Sequence, residues 1–192
     1  MKKSNRFLHL LPVMLVWAML TAFFWSWIFN MITDTTPGKK ITVFADVPEV
    51  RDVALAAELE KSLPGGLSMV KVHPFSYAML NGNALRAADL YIIPASDAVT
   101  YREWFAPLPE AWSAKAELFD ETGIPLGVPV LPSGDTTYLT FDDPTRPGEA
   151  YYLVFGVSSL HNKANPGAVD DGALPVAEAL LKLISSEGGT QP

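Results

Sequence analysis

The chain has 192 residues, 49% of them hydrophobic, no cysteine, and a formal charge of −7. Without cysteine it has neither a disulfide framework nor a thiolate metal site. All 21 acidic residues fall at or after Asp34, against 11 basic ones, so residues 34–192 carry a charge of −10. Such a balance argues against nucleic acid or an anionic lipid surface as partner.

Residues 7–32 (FLHLLPVMLVWAMLTAFFWSWIFNMI) contain no Asp, Glu, Lys or Arg. As a helix the run reaches about 39 Å, enough to cross a hydrocarbon core of about 30 Å. A cleaved signal peptide would have a shorter apolar core and small residues at its cut. Here Trp25, Trp27, Phe29 and Met31 stand in that place, and the tryptophans suit an interfacial belt. The segment therefore reads as an uncleaved signal anchor, a single pass that ties the protein to the bilayer. Lys2, Lys3 and Arg6 in the 1–6 tail favour a cytoplasmic N-terminus, which places the rest outside the cell membrane, as in an exported bacterial domain. His9 and Asn30 within the span offer polar points for helix–helix contact.

Residues 33–38 (TDTTPG) form a linker, residues 39–184 an extracytoplasmic domain, and residues 185–192 (SSEGGTQP) a polar, frayed tail. The domain opens with an apolar β-rich run at 41–45 (ITVFA) and a helix over 49–63, with Leu55, Leu59 and Leu63 at helical spacing before Pro64-Gly65-Gly66. A second strand is predicted at 68–73, weak helical turns at 77–88 and a third strand at 90–93. Strands alternating with helices predict an α/β domain of three layers with a mainly parallel sheet. Ser96 and Asp97 are placed to cap a helix running to Phe105, stopped by Pro107 and Pro109.

In the second half, prolines at 124–131 (IPLGVPVL) demote that run to an edge or crossing strand. Residues 136–141 and 150–157 flank a turn-rich segment and read as a long-looped hairpin. A closing helix at 172–184 presents Val176, Leu180, Leu183 and Ile184 on one face, with Asp171 as its cap and Pro175 in its first turn.

The order KITVFADV, helix, ADLYIIPAS, helix ending in FAPLPEAW, then GIPLGVPV and YYLVFGVSS resembles the first lobe of the extracellular solute-binding proteins of ABC importers. These are fold-level patterns without a chemical signature. The resemblance implies a periplasmic-binding-protein lobe that holds a solute without chemistry. Those proteins have two lobes and about twice this length, so the resemblance is to a reduced, membrane-anchored, single-lobe relative.

In an open α/β sheet, ligands sit beyond the carboxyl ends of the strands. That rule singles out Asp46, His73, Ser96 and Asp97. Asp46 and Asp97 would accept hydrogen bonds from a polar or cationic ligand and Ser96 would donate from a helix start; alternatively they serve as turn and cap residues. Asp142-Asp143 and Asp170-Asp171 lack the spacing of a calcium loop and read as turn formers, so no metal or other cofactor is expected. Ser158-Ser159-Leu160-His161 is the nearest approach to a nucleophile and base, but no nucleophile elbow or phosphate loop accompanies it. A non-enzymatic protein is expected. Tyr101, Trp104 and Phe105, with Trp112 beyond Pro109, form either one face of the core or a surface that docks on a partner protein. The sequence thus supports a binder of a small solute or protein partner, or a structural or regulatory subunit docked on a membrane complex.

Overall fold

A computed structural model describes residues 4–33, 36–76, 82–130 and 136–187, which fall into two units meeting at Thr36 and Pro37. The first is a single helix, α1 (Ser4–Thr33). Its window 11–28 has a mean hydropathy of 1.8 and buries nothing within the protein, so it is long and apolar enough to cross a membrane. Pro12 sits inside it, and Thr21 bonds back to the Trp17 carbonyl at 2.7 Å. The predicted span 7–32 lies wholly within this helix.

The second unit starts with a short 3₁₀ turn (Pro37–Lys39), so the last two residues of the predicted linker belong to the domain, while residues 34 and 35 lie outside those described. A β-rich run follows as β1 (Lys40–Ala45). The helix predicted over 49–63 is shorter. Glu49–Val50 form a small strand, β2, and the helix α2 spans Asp52–Glu60. Leu55 and Leu59 are fully buried on its inner face. Next come β3 (Met69–Pro74), α3 (Asn83–Arg86), β4 (Leu90–Pro94) and α4 (Ala95–Thr100). Of the turns predicted at 77–88, residues 77–81 lie outside those described.

The helix predicted to reach Phe105 ends at Thr100. A 3₁₀ turn (Arg102–Trp104) leads instead into β5 (Phe105–Ala106), and Pro109 precedes α5 (Glu110–Ser113). The remainder is β6 (Leu118–Phe119), β7 (Pro125–Val130), β8 (Leu139–Thr140), β9 (Tyr151–Gly156) and α6 (Ala173–Glu187). The closing helix thus runs three residues past Ile184 into the segment predicted to fray.

The main sheet has the order β3-β1-β4-β9-β7-β6, with β5 also paired to β9. β3, β1 and β4 are parallel. β9 runs against β4, β5 and β7, and β6 runs against β7. Five strands therefore point one way, with β9 and β6 reversed, which makes the sheet mixed and mostly parallel in direction. The predicted hairpin of 136–141 with 150–157 does not form: β8 pairs with β2, Val50 opposite Leu139, while β9 inserts between β4 and β7. β6 faces β7 only at Pro125 and Gly127. Beyond Gly127 the outer side of β7 is an edge among the described residues, as Pro129 requires.

Side-chain alternation along the strands fills two cores. Ile41, Val43, Leu90, Ile92, Val128 and Leu153 pack beneath α2 and α6. Phe44, Tyr91, Ile93 and Val154 pack on the opposite face with Leu85 of α3 and Ala98 of α4. Helices on both faces of one sheet make the predicted three-layer α/β domain.

Candidate functional site

Because β1, β3 and β4 are parallel, their carboxyl ends lie along one edge. The residues that follow β1 and β4 meet there. The amide of Asp46 donates to the Ile92 carbonyl at 2.8 Å, which fixes the turn out of β1 against β4. Asp97 sits in the first turn of α4, immediately after β4. Arg146 joins both: its Nη1 lies 3.3 Å from Asp46 Oδ2 and 3.4 Å from Asp97 Oδ2. Each carboxylate is 15% exposed and the guanidinium 24%, so the cluster borders solvent.

Arg146 owes its position to a turn that Asp143 builds. Asp143 Oδ1 accepts from the Thr145 amide at 2.8 Å and hydroxyl at 2.6 Å, and the Arg146 amide donates to the Asp143 carbonyl at 3.0 Å. Three residues on, Glu149 Oε1 accepts from the Ser96 amide at 2.8 Å. The Ser96 side chain is exposed, so its contribution here is the backbone amide. Pro94 supplies the cap position of α4 with no side-chain cap bond, so neither Ser96 nor Asp97 is the cap.

Two carboxylates sharing one guanidinium leave a net charge of −1. Burial and the hydrogen bond that its protonated carboxyl donates to Asp97 raise Asp46 to about 6, against the opposing pull of Arg146. A carboxyl with that property exchanges its proton near neutrality. Tyr151, the first residue of β9, stands opposite Pro94 and Val130 at the same edge. It is 2% exposed and its hydroxyl has no hydrogen-bond partner. Burial and the field of Asp143 raise its pKa, Arg146 opposes this, and Asp46 and Glu149 add to it, which places the hydroxyl among these charges.

His73, also at this edge, packs on the Phe44 ring at 5.2 Å, and burial with the Lys71 ammonium lowers its pKa. Trp104, Phe105 and Trp112 are 8%, 6% and 3% exposed and belong to the cores. Of the four aromatics considered for partner docking, Tyr101 alone is half-buried, stacked on Trp104 at 4.8 Å and beside Phe75 at 6.0 Å.

Ser159 and His161 lie at the opposite, amino-terminal edge of the parallel strands and do not form a nucleophile–base pair. Ser159 Oγ donates to Asp89 Oδ1 at 2.5 Å and accepts from the His161 amide at 3.0 Å. The imidazole faces Asp170 Oδ1 at 2.8 Å and the Pro37 carbonyl at 3.1 Å. Asp170 also accepts from Gly172 and Asp171 from the Lys163 amide, at 2.8 and 3.4 Å, so Asp143, Asp170 and Asp171 all hold loop geometry. Among the described residues no cluster of three His, Cys, Asp or Glu could hold a metal ion.

Arg146, Glu149 and Tyr151 are site residues with no cue in the sequence. No family model, curated protein or solved structure matches the chain.

Proposed function

We propose that this is a single-pass membrane protein whose extracytoplasmic domain, similar to one lobe of a solute-binding protein, holds a small polar or cationic solute without chemistry. The N-terminus is cytoplasmic and the domain faces outward. One observation carries the reading: Asp46, Asp97 and Arg146 converge at the carboxyl ends of parallel strands, the edge where open α/β sheets take ligands. Their net negative charge favours an ammonium or guanidinium group, which would share the carboxylate oxygens with Arg146.

Thermal melting of the full chain in detergent, against amines, polyamines, amino acids, sugars, peptides and divalent ions, tests this. A solute at 100 times its dissociation constant adds about 2.7 kcal/mol, a shift of several degrees. The expected result is a shift with a cationic solute that Asp46→Asn abolishes. A flat panel on a folded protein overturns it. For the topology, protease added to spheroplasts should digest the domain, and protection under conditions that cleave an external control would reverse the orientation.

A second reading has its own observation. A groove of about 620 Å³ between α2 and α6 is lined by Ala179 and Leu183 together with Glu58, Lys61 and Lys182. A structural or regulatory subunit would use such a groove to dock on a membrane complex. A flat solute panel, together with loss of a co-purifying complex on Leu183→Glu, would favour it.

A further inference from the structure

The imidazole of His161 is 1% exposed and both of its ring nitrogens face acceptors. The Pro37 carbonyl can only accept, so Nε2 must carry a proton to make that bond. Asp170 Oδ1 already accepts from the Gly172 amide. A neutral ring would then turn the Nδ1 lone pair toward an acceptor oxygen at 2.8 Å. Only the doubly protonated ring satisfies both contacts.

The surroundings are built for that charge. Asp170 lies on the same loop and Asp89 approaches from the start of β4, and these are the two charged groups whose fields act on the ring. Asp89 is itself held by Ser159 Oγ and by the Thr42 amide at 2.8 Å. Burial works against the imidazolium, and the bonds to Asp170 and Pro37 with the fields of Asp89 and Asp170 outweigh it, so the pKa is raised.

The bonded partners are far apart in sequence. Pro37 opens the domain four residues after the end of the apolar helix, whereas His161 is 124 residues further on. The loop between β9 and α6 is held elsewhere by the Val157 amide on the Trp104 carbonyl, by Ser159 on Asp89, and by Asn165, whose Nδ2 donates to the Gly156 and Ser159 carbonyls at 2.8 and 3.1 Å. No other hydrogen bond among those described links this loop to the 37–39 turn.

We infer that His161 is a pH-sensitive clasp: as an imidazolium it ties the first turn of the domain, just after the apolar helix in sequence, to the β9–α6 loop; on losing a proton its remaining N–H stays with the Asp170 carboxylate, the stronger acceptor, and Pro37 is released. A histidine whose folded pKa is raised contributes stability that is fully present below its unfolded value, about 6.5, and lost as pH rises through the folded value. The clasp is therefore closed in mildly acidic surroundings and opens on the alkaline side.

The test uses the full ¹⁵N-labelled chain in detergent micelles, with ring nitrogens followed from pH 5 to 9. His9→Gln and His73→Gln assign the signals, which leaves His161 unmodified. The expected result is a His161 ring protonated on both nitrogens at pH 6.5, titrating above His73, whose pKa is lowered. Asp170→Asn should lower the His161 pKa by about one unit, a tenfold loss of proton affinity. Amide exchange, corrected for intrinsic rate, should accelerate in segments 36–39 and 159–163 as the ring deprotonates, and about one unit lower in Asp170→Asn. A singly protonated His161 at pH 6.5, a pKa unmoved by Asp170→Asn, or exchange independent of the titration would each overturn the inference.

Discussion

The two edges of the same sheet treat their charges in opposite ways. At the amino-terminal edge Asp89, Ser159, His161 and Asn165 are all less than a tenth exposed, and each makes bonds of 2.5–3.1 Å with fixed neighbours. Among the described residues one buried side-chain atom there, Asn162 Nδ2, has no partner. At the carboxyl-terminal edge Asp46, Asp97 and Arg146 border solvent, their contacts stretch to 3.3–3.4 Å, and a buried tyrosine hydroxyl is unpaired. Short bonds in a dry site make the first edge part of the fold, because leaving any member unpaired carries the full desolvation penalty. Longer contacts at the margin of water make the second edge exchangeable.

The largest effect that would test this contrast is at Gly156, which closes β9 at the amino-terminal edge. Its amide donates to the Asp89 carbonyl at 2.9 Å and its carbonyl accepts from Asn165. A Cβ there would fall inside the van der Waals shell of the Ala88 carbonyl oxygen, which is backbone and cannot rotate away. Gly156→Ala should cost about 3 kcal/mol or more, by overpacking a site with no slack. Urea unfolding measures it. A loss below about 1 kcal/mol would show that this edge yields as readily as the other.

Asp46→Asn comes next and has the opposite sign. The folded state holds the Asp46 proton more tightly than the unfolded chain, about 6 against 3.8. Its contribution to stability is therefore present below about pH 3.8 and lost as pH rises through about 6. Asparagine copies the protonated form at every pH. The variant should match the wild type at pH 4 and exceed it at pH 8 by about 2 kcal/mol, allowing for partial solvation. Equal stability at both pH values would mean that Arg146 fully compensates the charge, and the carboxyl-terminal edge would then be as settled as the other.

The parts of this picture that were legible in the sequence are local. Alternation and breakers located β1, β3 and β4, and the rule for strand ends led directly to Asp46 and Asp97. The non-local parts were hidden. Residues 136–141 and 150–157 both read as strands, but period-two alternation fixes which face a side chain takes and says nothing of which neighbour a strand takes. β9 pairs with β4 and β8 with β2, and this pairing, with the Asp143 turn between them, brings Arg146 to two aspartates 49 and 100 residues away. The partners of Ser159 and His161 were hidden for the same reason: two residues apart in sequence, they turn to Asp89, just before β4, and to Asp170 and Pro37.

The smallest effect separates the edges most finely. The Tyr151 ring packs edge-on against Phe141 at 5.3 Å, and Phe at position 151 would keep that contact while deleting the unpaired hydroxyl. A buried hydroxyl with no partner has already lost its water, so removing it should leave stability unchanged or raise it by up to about 1 kcal/mol. If that hydroxyl instead completes the coordination of a bound solute, Tyr151→Phe should be neutral in the free protein and diminish only the ligand-induced rise in Tm. Destabilisation of the free protein by about 1 kcal/mol would assign the hydroxyl a partner within the fold. The carboxyl-terminal edge would then be as closed as the amino-terminal one, and its exchangeable character would rest on Asp46, Asp97 and Arg146 alone.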